Sequence, residues 1–151
     1  MDTQFNSTEI DRYRQILQDD DSAQQALATL EKHDGSFSDA FDELLIEVSG
    51  QGQDYNLERL RKVTLKQLRE EVCGSDSFRT KLQEYSKNPG STPLLTGLIV
   101  SLVGLAAAHG LPLDPAIATI VVLYILKIGL NIFCEYTESS PTPPADDSDS
   151  Q

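Results

Sequence analysis

The chain has 151 residues with 24 acidic and 12 basic side chains, a formal net charge of -12. That length suits one modest domain with an appendage, and so acidic a chain excludes the class of general nucleic-acid-binding proteins. The 2 cysteines and 2 histidines lie far apart along the chain and match no zinc-ligand spacing or disulfide framework. We therefore expect free thiols and no metal or other cofactor.

Charge is unevenly distributed along the chain. Residues 1–55 carry thirteen acidic and three basic side chains, whereas residues 56–93 carry five acidic and eight basic ones. The N-terminus lacks a basic segment followed by an apolar one, so we expect no cleavable signal peptide. Any targeting to a membrane must then come from the C-terminal part of the chain.

The N-terminal half carries start and stop signals for about five short helices between residues 6 and 88. Asn6 and Glu9 have the spacing of a capping box, which marks a helix start. In the third predicted helix, large apolar residues that include Phe37, Phe41 and Leu44 recur at the spacing of a buried stripe. No segment alternates as a strand does. The sequence predicts an all-α fold, with a small cytoplasmic helical domain at residues 1–90.

Two of these helices carry like charges along one face. The basic set lies on the fourth helix: Arg59, Lys62, Lys66 and Arg69. The acidic set lies on the third helix: Asp39, Glu43 and Glu47. Both faces can simply be solvated. Because like charges four residues apart destabilise a lone helix, the alternative is that the acidic face of one copy docks on the basic face of another copy or of a partner. The basic face can also rest on anionic lipid headgroups.

Two apolar segments follow, at residues 94–109 and 115–133, separated by a turn at residues 110–114. Gly110 suits the position after a helix, Asp114 suits an N-cap, and Pro115 suits a first helical turn. Each segment is slightly shorter than the roughly 20 residues that cross a bilayer, yet its aliphatic residues favour insertion. We expect a transmembrane hairpin at residues 91–136. The alternative is a bundle that buries both helices within protein.

The flanking sequences predict how this hairpin is oriented. Basic residues precede it and its turn has none, so the positive-inside rule places both termini in the cytoplasm, with two spans in a membrane such as a bacterial inner membrane. From residue 137 to residue 151 the chain is rich in Pro, Ser and Asp. We expect this acidic tail to be disordered.

Two residue sets within the hairpin favour helix contacts. Small side chains share one face of the first helix: Gly97, Ser101, Gly104 and Ala108. Polar side chains form a line along the second helix: Tyr124, Lys127 and Asn131. Small faces let helices approach closely, within one hairpin or between copies. The polar line has three possible roles, because Lys127 can reach the headgroups, contact a neighbouring helix or line a pore.

The sequence contains no recognisable catalytic motif, and we expect a protein that is not an enzyme. The layout resembles bacterial effector-associated or death-fold-like modules coupled to membrane segments, which implies that clustering of the N-terminal domain drives a membrane response. The main interpretation is a membrane-anchored adaptor or assembly protein that contacts the lipid bilayer and binds itself or a protein partner. The alternatives are a small pore-forming, holin- or toxin-like effector whose hairpins oligomerise, and a subunit of a larger membrane complex.

Overall fold

The computed structural model describes residues 3–49, 57–111 and 113–138. These residues form eight helices: α1 (Ser7–Ile16), α2 (Asp21–Lys32), α3 (Phe37–Ser49), α4 (Leu57–Cys73), α5 (Asp76–Lys87), α6 (Thr92–Ala108), α7 (Pro115–Ile128) and α8 (Leu130–Glu138). Within these ranges β-pairing is limited to an isolated bridge between Gln4 and Ser36, which confirms the prediction of an all-α fold. The predicted tail lies outside the described residues from residue 139 onward.

Helix starts follow local hydrogen-bonding chemistry. The backbone N–H of Glu9 donates to Asn6 Oδ1 at 2.8 Å and the Asn6 N–H donates to Glu9 Oε1 at 2.9 Å, which confirms the capping box. Ser75 caps α5, and Asp114 caps α7 ahead of Pro115. Asp20 caps α2. Each cap satisfies a backbone donor that the first helical turn leaves unpaired.

Helix α7 lies at the centre of the fold. Residues 116–125 are all buried, and α7 packs against α2, α3, α6 and α8. The apolar faces of α2 and α3, which include Leu27 and Phe41, belong to the same hydrophobic cluster as α7. The buried stripe predicted for α3 faces this centre.

The predicted transmembrane hairpin is not supported. The described part of the chain contains no helix that combines the length and the apolar character needed to cross a bilayer. The second predicted helix, residues 115–133, is interrupted at Gly129, whose φ of 93° ends α7 before α8 begins. Amphipathic helices α2 and α3 pack on α7 and cover its apolar surface, which we expected lipid to cover. This arrangement corresponds to the alternative stated above, a bundle that buries both apolar segments within protein.

The expectation of two free thiols is wrong. Cys73, the last residue of α4, and Cys134 in α8 form a disulfide, with their Cα atoms 6.0 Å apart. The two residues are 61 positions apart in sequence, so their spacing carried no signal of pairing. They meet because the chain starts a new helix after Gly129 and α8 packs on α4.

Candidate interaction surface

Helix α4 places one apolar side in the core and one basic side in solvent. Leu68 and Val72 are buried. Exposed side chains on the opposite side define what we call the α4 outer face: Arg59, Lys62, Val63 and Lys66. Val63 is 55 % exposed, so a large aliphatic side chain lies among three cations on this face.

Acidic residues at the two ends of this face are paired locally. Lys62 Nζ lies 3.2 Å from Glu58 Oε2, one turn earlier, and both side chains are largely exposed. The hydrogen bond from Lys62 lowers the pKa of Glu58. Beyond Lys66, Glu70 lies 3.7 Å from an Arg69 nitrogen. Because exposed ion pairs contribute little to stability, Lys62 can exchange Glu58 for another anion at small cost.

The fourth member of the predicted basic set does not share this face. The Arg69 side chain is mostly buried, and its Nε finds no hydrogen-bond partner among the described residues. Arg61, which the sequence did not single out, faces α3 instead. Its Nη1 donates to both carboxylate oxygens of Asp42, at 2.7 and 2.9 Å. Burial raises the pKa of Asp42, and the Arg61 hydrogen bond and charge only partly offset that effect.

The predicted acidic set on α3 is largely engaged within the molecule. Glu43 Oε1 lies 2.7 Å from His33 Nε2 and 3.0 Å from Lys32 Nζ. The hydrogen bond with His33 has the larger effect on the pKa of Glu43, and both contacts lower it. Glu47 accepts a hydrogen bond from Gln25 Nε2 at 2.9 Å. Asp39 is exposed at the start of the helix. Helix α2 therefore occupies much of the surface that we expected to meet a second copy.

The predicted polar line is divided among three environments. Tyr124 is buried and stacks on the Phe37 ring, with centroids 4.2 Å apart. Lys127 Nζ donates to both carboxylate oxygens of Glu9, at 2.8 and 3.0 Å. Asn131 is exposed on α8. The interruption at Gly129 separates Asn131 from the other two residues, so the three do not lie along one helix.

The predicted small-residue face of α6 points away from the core. Gly97 and Ser101 are partly exposed, Gly104 and Ala108 are exposed, and Val100 among them is 63 % exposed. A Cβ atom added to either glycine would meet nothing within 4 Å. Helix α6 instead buries its opposite, leucine-rich side, so in this structure the small residues are not the contact between α6 and α7.

Among the described residues, no group of three His, Cys, Asp or Glu side chains could hold a metal ion. The chain matches no protein-family model, and no curated protein and no solved structure is significantly similar to it.

Sequence reasoning missed three contacts that organise these surfaces. Arg61 carried a weak signal, because its position on α4 lies on the same side as Leu68 and Val72. The Lys127–Glu9 pair joins residues 118 positions apart, and the disulfide is comparably non-local. Neither of those two pairs has a local signal in the sequence.

Proposed function

We propose that this protein is a non-enzymatic helical adaptor that attaches to an anionic membrane surface through the α4 outer face and assembles there with itself or a protein partner. The observation that carries the proposal is the exposure of Val63 among Arg59, Lys62 and Lys66. Cations attract anionic headgroups, and an exposed aliphatic side chain between them can enter the apolar boundary of the bilayer.

The expected affinity of one copy is low. Each Lys or Arg near an anionic membrane contributes about 1 kcal/mol, and burial of a valine side chain adds up to about 1.5 kcal/mol. Contact through this face alone is therefore weak and reversible. Two or more copies joined together would bind far more tightly, because the second contact is intramolecular. Assembly and membrane attachment thus reinforce each other in this proposal.

Vesicle co-sedimentation tests the membrane contact. The full chain is mixed with vesicles of phosphatidylcholine alone or of phosphatidylcholine with phosphatidylserine. We expect binding to the mixed vesicles, weakened by added salt because screening shortens the range of the attraction. Charge reversal at Arg59→Glu, Lys62→Glu and Lys66→Glu should abolish it.

The matched control applies the same charge change elsewhere on the surface. Arg12, Lys81 and Lys87 are also exposed but lie on α1 and α5. Reversal of these three residues should weaken binding much less than reversal on α4. Equal losses in the two variants would mean that net charge alone governs binding, and the α4 outer face would then have no special role.

A second candidate function, membrane permeabilisation, is favoured by helix α7. Its ten buried residues, 116–125, form an apolar segment that would favour lipid once its covering helices moved aside. Leakage of a dye from anionic vesicles distinguishes the candidates. Binding without leakage supports the adaptor, whereas leakage supports permeabilisation. That this protein attaches at the cytoplasmic face of a bacterial inner membrane is still a prediction from the sequence.

A further inference from the structure

The two cysteines occupy neighbouring helix positions that solvent can reach. Cys73 ends α4 and Cys134 lies in the middle of α8. Both residues are partly exposed, so a small reductant can approach the bond between their sulfurs. The chain has 2 cysteines in all. No other thiol of the same chain can therefore exchange with this pair.

Helix α8 packs on α4 and α7. It is nine residues long, too short to be stable as an isolated helix in water. Leu130 and Phe133 are buried, but Ile132 is 54 % exposed. Gly129 joins α8 to α7 with a φ of 93°, and a Cβ atom there would meet nothing within 4 Å. No side chain therefore blocks rotation of the backbone at Gly129, and this junction between the two helices can act as a hinge once α8 is released.

Phe133 is the fully buried residue of α8 that contacts the aromatic cluster at the centre of the fold. Its ring meets the Tyr124 ring edge-on, with centroids 6.0 Å apart. Tyr124 in turn stacks on Phe37. Withdrawal of Phe133 would remove this edge-on contact from the aromatic cluster at the end of α7.

We propose that the Cys73–Cys134 disulfide is a reversible redox site that reacts with a dithiol and that its reduction releases α8 from α4. One thiolate of the dithiol attacks a cysteine sulfur, the disulfide breaks, and the other cysteine leaves as a thiolate. The second thiol of the reductant then displaces the first cysteine. The protein gains two electrons and two protons, and the dithiol becomes a disulfide. This inference requires neither lipid nor the α4 outer face.

Hydrogen exchange measured by mass spectrometry on the full chain tests the release. We compare the oxidised protein with the same protein reduced by dithiothreitol. Reduction should speed exchange of the amides in residues 130–138 at least about tenfold, while the amides of α2 and α7 stay protected. Cys73→Ser should show the fast α8 exchange with or without dithiothreitol, and Cys134→Ser is an independent check if Cys73→Ser does not fold.

Three results would overturn the proposal. Unchanged α8 exchange after reduction would mean that noncovalent packing alone holds the helix. Loss of protection in all helices together would mean that the disulfide stabilises the whole fold rather than one element. Alkylation of both cysteines in the folded protein, purified without reductant and kept in air, would mean that the bond does not form.

Discussion

Lys127 and Glu9 show how one ion pair joins distant parts of the chain at the residue scale. The Lys127 and Glu9 side chains are 29 % and 32 % exposed, and Lys127 also lies 5.4 Å from the Phe5 ring centre. Burial raises the pKa of Glu9, but hydrogen bonds from Lys127 and from the Asn6 backbone outweigh that effect and lower it. The pair thus fixes α1 to the end of α7.

A double-mutant cycle measures what this contact contributes. Glu9→Gln, Lys127→Met and the double variant are compared with the original chain by urea unfolding. We expect a coupling free energy of about 0.5–1 kcal/mol, since a partly exposed pair is screened by solvent. Strictly additive effects would mean that the two side chains do not interact in solution.

The coupling should also depend on pH. The pKa of Glu9 is lower in the folded state than its usual value of 4.5. Its charged form is therefore stabilised by folding, and this contribution is present above pH 4.5 and is lost as the pH falls through the lower, folded-state pKa. When the cycle is repeated at neutral and at acidic pH, the coupling free energy should vanish only once the pH is below the folded-state pKa of Glu9. A coupling that persists in strong acid would contradict the assignment to the Glu9 carboxylate.

At the scale of elements, two glycines have opposite structural roles. Gly35 has a φ of 86°, and a Cβ there would overlap the Phe5 carbonyl oxygen. The Phe5 N–H also donates to the Gly35 carbonyl at 2.8 Å. Gly35 therefore joins the segment before α1 to the turn after α2. Gly97, within α6, has open space around it and no backbone requirement for glycine.

Alanine substitution separates these roles. Gly35→Ala should destabilise the fold by about 1–3 kcal/mol, because the residue is forced into a left-handed conformation with a steric overlap. Gly97→Ala should stabilise it by about 0.5–1 kcal/mol through higher helix propensity. Urea unfolding measures both changes.

Sedimentation of Gly97→Ala checks the predicted small-residue contact on α6. If the small-residue face of α6 is exposed in solution, Gly97→Ala should leave the oligomeric state unchanged. Loss of an oligomer that the original chain forms would instead support packing between α6 helices through Gly97 and Gly104, as the sequence pattern indicated.

At the scale of the whole molecule, the two predicted halves share one hydrophobic cluster. The boundary predicted near residue 90 falls between α5 and α6. Helices on both sides of it contribute to the core, and α7 covers the apolar faces of α2 and α3. Removal of α6 to α8 would expose side chains such as Leu27 and Phe41, which are fully buried in the intact chain.

A fragment of residues 1–90 tests whether the first half folds alone. We expect it to lose cooperative thermal unfolding, monitored by circular dichroism, because its remaining core is too small to offset the entropy of ordering the chain. The intact chain is the control and should unfold in one sharp transition. A sharp transition in the fragment would show instead that the predicted N-terminal domain is an independent unit.

The sequence by itself determined the local features: helix starts at Asn6 and Asp114, the buried stripe of α3, and the all-α class. These depend on interactions within about four residues, which composition and spacing encode directly. Only the tertiary structure decided that α7 is covered by α2 and α3, that Cys73 meets Cys134, and that Lys127 pairs with Glu9. An apolar segment is equally compatible with lipid and with a protein core, and only the arrangement of distant helices distinguishes the two.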